Sequence, residues 1–245
     1  MKFIKLLFIL FCVSIFSWNA VAQNTTEAQK FIDQGLAAFD NGALEDAEKA
    51  FSAAAEKDLK NAGIYMLRGM TREAMDNGQG ALDDYNMALN LNPEDTVGYV
   101  VRGQLRMALG NNDGAVMDFT KALDLDDEMP EAYRSRGMVY YFQNNYRLAL
   151  SDFQEALLLE ADDASDYFYI GICLRELGDN ARAVGFFNTC LLFDEENAEV
   201  YYQRGLANND LLFVEEACSD FRKAYQLGMT DLKELLVEYC GKNKG

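Results

Sequence analysis

From Ala62 to Asp95 apolar and polar positions recur at helical spacing, with one interruption midway. The first half carries Tyr65 and Gly69, the second carries Ala81, Tyr85 and Ala88, and Pro93 stands where a helix has to end. The pattern predicts two short antiparallel helices. Gly69 and Ala81 have almost no side chain, so the helices can approach closely there, and Tyr65 and Tyr85 fill the wedges on either side.

The same pattern returns every 34 residues without an insertion. Glycine recurs as Gly35, Gly69, Gly103, Gly137, Gly171 and Gly205, and the small residue after the turn as Ala47, Ala81, Ala115, Ala149, Ala183 and Ala217. An aromatic follows four residues on, at Phe51, Tyr85, Phe119, Phe153, Phe187 and Phe221. Three further on stand Ala54, Ala88, Ala122, Ala156, Cys190 and Ala224, which keep the helix contact tight.

A period and pattern of this kind resemble the tetratricopeptide repeat (TPR) family over about Ala28 to Met229. The resemblance implies an all-α, right-handed superhelical solenoid of six helix-turn-helix hairpins, at 28–61, 62–95, 96–129, 130–163, 164–197 and 198–229. It implies a scaffold for binding rather than one chemistry. Departures are local: the usual terminal proline survives only at Pro93, and the first repeat has Phe31 and Phe39 in place of the usual pair of large aromatics.

Ahead of the array, Lys2 and Lys5 precede an apolar run from Leu6 to Phe16 and then Ala20-Val21-Ala22. This reads as a secretory signal at 1–22 cleaved before Gln23, giving a secreted or periplasmic protein with no membrane insertion after cleavage. A signal anchor is the rival, against which stand the short apolar run and its small-residue exit. Cys12 lies inside that run, and Phe11 is too bulky for the residue before a lipoprotein cysteine. Thr25 or Thr26 can cap the opening helix, with Gln29 placed to complete a capping box. At the other end a capping helix, within 230–245, starts at Thr230 or Asp231 and buries Leu232, Leu235, Leu236 and Tyr239, with Lys233, Glu234 and Glu238 outside.

The chain carries 22 basic and 40 acidic residues, a formal net charge of −18, and removal of Lys2 and Lys5 with the signal makes it more negative still. That balance argues against nucleic acid as a partner. Acids concentrate at the joints between repeats: Asp124, Asp126, Asp127 and Glu128; Glu160, Asp162 and Asp163; Asp194, Glu195 and Glu196. A solvated acidic edge is one reading and calcium another, but no segment shows the alternating-acid loop with its central glycine. The chain has no histidine, which removes the commonest general base and metal ligand together. Gly78-Gln79-Gly80 lacks the third glycine of a dinucleotide loop, and there is no phosphate loop or Gly-x-Ser-x-Gly elbow. No enzyme, cofactor or metal site is predicted.

One feature is particular to this chain. The residue before the glycine is Arg68, Arg102, Arg136 and Arg204 in repeats two, three, four and six, and sixteen residues later stand Asp84, Asp118, Asp152 and Asp220. Repeats one and five have lost both, with Gln34 and Ala50, and Ile170 and Phe186. Pairing within a repeat strands no charge, whereas pairing with the next repeat would strand four; the co-variation therefore predicts an Arg–Asp pair joining the two helices of each of these hairpins. Independent surface charges are the alternative.

Cys173 and Cys190 occupy small-residue core positions. Cys218 lies near the start of the last hairpin's second helix and Cys240 at the end of the capping helix, with the turn at Gly228 and Met229 midway; antiparallel packing about that turn predicts a Cys218–Cys240 disulfide, with two free thiols as the alternative.

The resemblance also implies a concave groove lined by the first helices. The face left over after hairpin packing carries Met66 and Met70, then Val100, Gln104 and Met107, then Arg134, Met138 and Tyr141, then Phe168, Ile172 and Arg175, then Tyr202 and Leu206. This stripe is either a partner-binding groove or core between repeats. As a groove it suits an amphipathic helix or an extended apolar segment, with Arg134 and Arg175 orienting acidic side chains on it. The lysine and asparagine pattern of carboxylate-clamp members is absent. The resulting functional expectation is a non-catalytic protein- or peptide-binding scaffold, with a structural or self-associating (homo-oligomeric) subunit of a cell-envelope complex as the alternative.

Overall fold

The computed structural model describes residues 25–160 and 164–241. The signal sequence, Asp162, Asp163 and the last four residues lie outside the described residues. Every regular element among the described residues is helical. The chain divides into two compact units, Met1–Asn111 and Asn112–Gly245.

In the first unit, α1 (Thr25–Asp40) packs on α2 (Leu44–Lys57), α3 (Ala62–Ala74) on α4 (Gly78–Leu91), and α5 (Thr96–Ala108) follows against α4. The second unit begins with α6 (Asn112–Leu125). Three hairpins follow: α7 (Pro130–Phe142) with α8 (Tyr146–Leu159), α9 (Ala164–Glu176) with α10 (Asn180–Phe193), and α11 (Ala198–Asp210) with α12 (Val214–Gln226).

Within a hairpin the close approach is made by glycine and the aromatic ring rather than by glycine and alanine alone. A Cβ added to Gly69 would stand 2.6 Å from Tyr85, and one on Gly171 or Gly205 equally close to Phe187 or Phe221. The rings are fully buried, each contributing about 1.5–3 kcal/mol of burial energy, and any side chain on these glycines would displace them. Tyr85 differs from its phenylalanine counterparts in that its hydroxyl donates to Glu73 at 2.8 Å. Burial and this carboxylate push its pKa well above the usual tyrosine range.

The turns midway through each repeat share one device. The residue at the same place in each is left-handed: Gly42, Asp76, Gly110, Asn144, Gly178 and Leu212, with φ between 57° and 83°. Five of these tolerate that region, and Leu212 does not, since a leucine there crowds its Cβ against the backbone. Helix starts are satisfied by Asn77 accepting from the Gly80 N–H at 3.1 Å, by Asp95 from Gly98 at 2.9 Å and by Asn197 from Val200 at 3.2 Å. Pro130 opens α7, where its missing N–H costs nothing. Gln29 donates its amide to Asp33 at 2.9 Å; the side chains of Thr25 and Thr26, its expected capping partners, lie outside the described residues.

The C-terminal capping helix is irregular. A 3-10 turn (Thr230–Leu232), an α turn (Lys233–Leu235) and a wide π turn (Leu236–Cys240) take the place of one continuous helix. The segment is pinned at one end by the left-handed Gly228 and at the other by a disulfide, and its turns absorb the mismatch. Leu232 is buried, Leu235, Leu236 and Tyr239 are half-buried against Phe221, and Lys233, Glu234 and Glu238 face solvent.

Candidate functional site

The predicted charge pairs are the best-defined polar feature. Arg68 Nε and Nη2 donate to Asp84 at 2.9 and 2.6 Å, Arg136 to Asp152 at 2.8 and 2.8 Å, and Arg204 to Asp220 at 2.9 and 2.6 Å. Each is a bidentate fork between the two helices of one hairpin, with the carboxylate buried. The bond to the partner carboxylate raises the Arg68 and Arg136 pKa values. Arg102 and Asp118 fall in different units, and Asp118 is buried.

Two partners of these arginines escaped the sequence reading. The remaining nitrogen, Nη1, reaches back sixteen residues to a polar side chain of the preceding repeat: Ser52 at 3.4 Å, Asn86 at 2.9 Å, Thr120 at 3.0 Å and Asn188 at 2.7 Å, from Arg68, Arg102, Arg136 and Arg204. Each guanidinium also lies over the tyrosine three residues earlier, Tyr65, Tyr99, Tyr133 or Tyr201, at 5.3–5.7 Å from the ring centre. Both sets recur with the 34-residue period, so the signal was present. Asp84 has a further donor in Arg72 (2.9 Å), which also binds Glu48 (2.7 Å), and Asp220 has one in Asn208 (3.1 Å).

The stripe on the first helices is heterogeneous. Met66, Val100 and Ile172 are buried and fill the core. Met70, Gln104, Met107, Met138, Tyr141, Phe168, Tyr202 and Leu206 are half-buried. Around Met138 and Phe168 the surroundings are aromatic: Tyr169 stacks on Phe153 at 5.2 Å, with Tyr141 and Phe168 edge-on to it at 5.4 Å. Tyr202 and Leu206 pack against the buried cluster around Ala217 and Phe221, as do Leu235 and Tyr239 of the C-terminal segment.

The two stripe arginines are engaged within the chain. Arg134 Nε donates to both oxygens of Asp166, at 2.8 and 3.0 Å, and Nη1 to Glu160 at 2.8 Å; Arg175 pairs with Glu176. Arg134 therefore ties α7 to the start of α9 and to the joint after α8. Asp166 is 1 % exposed. The sequence held a clue: the same place in repeats two, three, four and six carries Ile64, Gly98, Ala132 and Val200, though exposed Lys30 in repeat one weakens it.

Cys218 and Cys240 form a disulfide, with Cα atoms 5.6 Å apart. Cys173 and Cys190 are free and buried, and burial pushes their thiols up to about 12 and about 11. The joint acids from Asp124 to Glu128, Glu160, and Asp194 to Glu196 are exposed; Asp126 and Asp194 accept from the backbone N–H two residues on, at 3.1 and 3.0 Å. Among the described residues no group of three or more histidine, cysteine, aspartate or glutamate side chains is placed to hold a metal ion. Among the same residues no helix is long and apolar enough to cross a membrane.

Helical hairpins repeated at a fixed period, closed by glycine against aromatic and tied by arginine to aspartate, define an α-helical repeat protein. Models of the tetratricopeptide repeat match residues 32–96, 98–129 and 135–191, and the chain belongs to that family. No curated protein matches at a significant level. Among solved structures, YrrB, described as a TPR protein with an unusual peptide-binding site, is 24% identical; the match covers 80% of this chain and 100% of that one, with a TM-score of 0.70. A tetratricopeptide repeat protein from Parabacteroides merdae is 26% identical over 85% of this chain and 82% of its own, with a TM-score of 0.58. Pseudomonas aeruginosa pilF is 16% identical over 88% and 99%, with a TM-score of 0.71.

Proposed function

We propose that the chain is a non-catalytic scaffold, secreted or periplasmic, that docks a protein or peptide segment on the stripe of its first helices. The observation that supports this most directly is the half-buried aromatic and methionine surface of α7 and α9, where Met138, Tyr141 and Phe168 rest on a buried layer of Phe153, Ile170 and Phe187. Such a surface is rigid underneath and keeps part of each ring and thioether in water, which suits an apolar partner segment. Because Arg134 is held by Asp166 and Glu160, it acts as a wall of the surface, and apolar contact carries the recognition. The peptide-binding site ascribed to YrrB is in keeping with this reading.

Replacing Met138 and Phe168 together by aspartate is expected to abolish recovery of partners from an envelope fraction while lowering the thermal midpoint by only a few degrees. Collapse of the fold would show instead that these residues are core. A self-associating structural subunit is the second reading, favoured by Leu158 and Leu192, which are 79 % and 85 % exposed at the ends of α8 and α10. Size-exclusion chromatography with light scattering separates the two: a stable homo-oligomer dissociated by Leu158→Glu and Leu192→Glu favours self-association.

A further inference from the structure

We propose that the cavity beneath the C-terminal segment is a second binding site, which takes a lysine or arginine side chain carried by an apolar peptide segment. This inference goes beyond the stripe: the cavity shares Leu206 with it but not Met138, Tyr141 or Phe168, on which the stripe reading rests.

The cavity measures 410 Å³, within the ~300–1,000 Å³ common for ligand sites. Its floor is apolar: Leu206 from α11, Phe221 from α12, and Leu235 and Tyr239 from the C-terminal segment. Its rim is acidic. Glu234 and Glu238, four residues apart, line it together with Asn209. Both carboxylates are exposed, and neither takes part in an ion pair or side-chain hydrogen bond among the described residues. An apolar floor beneath paired carboxylates complements a long basic side chain, whose methylene stem lies on the rings while its cationic head meets the acids. A carboxylate-bearing ligand would meet repulsion from the rim and from a chain of net charge −18.

The adjoining turn supplies a second, independent observation. Leu212 holds a left-handed φ of 65° where the other hairpins carry glycine, aspartate or asparagine, and it is 81 % exposed. Phe213 beside it is also exposed, at 53 %. The Leu212 N–H donates to the carbonyl of cavity-lining Asn209 at 2.9 Å, so the turn springs directly from the cavity wall. A strained leucine and a phenylalanine held in water beside an acid-rimmed cavity form an apolar shelf for the residues flanking the basic side chain.

The test uses the purified protein and a fluorescein-labelled, end-blocked hexapeptide, Leu-Lys-Leu-Phe-Lys-Leu, read by fluorescence anisotropy. Twins carrying glutamine or glutamate in place of both lysines serve as references. The lysine peptide is expected to bind at least about tenfold more tightly than the glutamine twin, and the glutamate twin more weakly still. The double variant Glu234→Gln, Glu238→Gln, altered only at exposed positions, should erase the lysine preference with an unchanged circular dichroism spectrum. Leu212→Asn should weaken the lysine and glutamine peptides alike. The Met138→Asp, Phe168→Asp variant should leave lysine-peptide binding intact, so failure of the stripe reading and failure of this one are told apart. Equal binding of the lysine and glutamate peptides, or a lysine preference that survives loss of both glutamates, overturns the proposal.

Discussion

Hairpins α3–α4 and α9–α10 share a backbone plan and fill one slot in opposite ways. In α3–α4 Arg68 forks onto buried Asp84, and the Tyr65 ring lies under the guanidinium at 5.5 Å. In α9–α10 the same two positions are Ile170, fully buried, and Phe186, and the equivalent tyrosine, Tyr167, lies beside Phe186 at 6.3 Å and Phe193 at 5.6 Å. The slot demands complementarity rather than charge. A buried ion pair costs about as much in desolvation as it returns in attraction, so an apolar pair of similar bulk serves equally well, whereas half of either pair does not. Hairpin α9–α10 moves its buried charge elsewhere, to Asp166, and binds it to the preceding hairpin through Arg134.

The sharpest way to break this equivalence is to mix the two solutions. Ile170→Arg alone is expected to cost about 3–5 kcal/mol in urea unfolding followed by circular dichroism, because it buries a charge without a partner. Adding Phe186→Asp should recover most of that loss, and a double variant no more stable than the single would refute the equivalence. In the charged hairpins, Arg136→Ala should cost about 3 kcal/mol or more, since Arg136 is the donor to buried Asp152. Arg68→Ala should cost less, as Arg72 still holds Asp84 at 2.9 Å. The reverse order would show that Arg72 carries no compensating weight.

The last hairpin has a covalent tie instead. Replacing Cys218 and Cys240 by serine should cost about 3 kcal/mol for a loop of 22 residues. Hydrogen exchange should place the loss in α11, α12 and the C-terminal segment. Hairpin α9–α10 has no such tie, and its two thiols give it an alkaline pH dependence beside the one that buried Tyr85 gives α3–α4. Both thiol pKa values are raised above the ordinary 9.0, so the folded state holds these protons more tightly than the unfolded one. Their contribution is fully present below pH 9 and is lost as pH rises through about 11 and about 12. Replacing Cys173 and Cys190 by alanine should flatten the alkaline limb of a stability-against-pH curve, and both native thiols should resist iodoacetamide at pH 8. The smallest expected effect is a gain: Leu212→Asn relieves left-handed strain at an exposed turn and should add about 0.5–1 kcal/mol.

The 34-residue period made the helices and their small-residue contacts legible, and the joint loss of Arg and Asp in two repeats made the in-hairpin pairing legible where both partners lie in one unit. Sequence alone could not sort the stripe. Met66 and Met70 look alike on a helix, yet one is buried in the core and the other only half-buried at its edge. Nor did spacing warn that Arg134 would face inward. That depended on a buried aspartate 32 residues away, which a reading confined to one repeat does not see. The irregular turns of residues 230–240 were equally hidden, because an apolar stripe of that spacing satisfies a regular helix as well.

The backward reach of each arginine bears on how such a chain can grow or shrink by copying. Excision of residues 164–197 would close the array with Gln154 sixteen residues before the former Arg204, replacing Asn188 with another amide that can still accept. At the same junction Val200 would arrive in the place of Asp166 and leave Arg134 with Glu160 as its remaining carboxylate. Deleting repeat five alone is therefore expected to cost more stability than deleting repeats four and five together, which makes 68 residues rather than 34 the unit that can be exchanged here without splitting the Arg134–Asp166 pair.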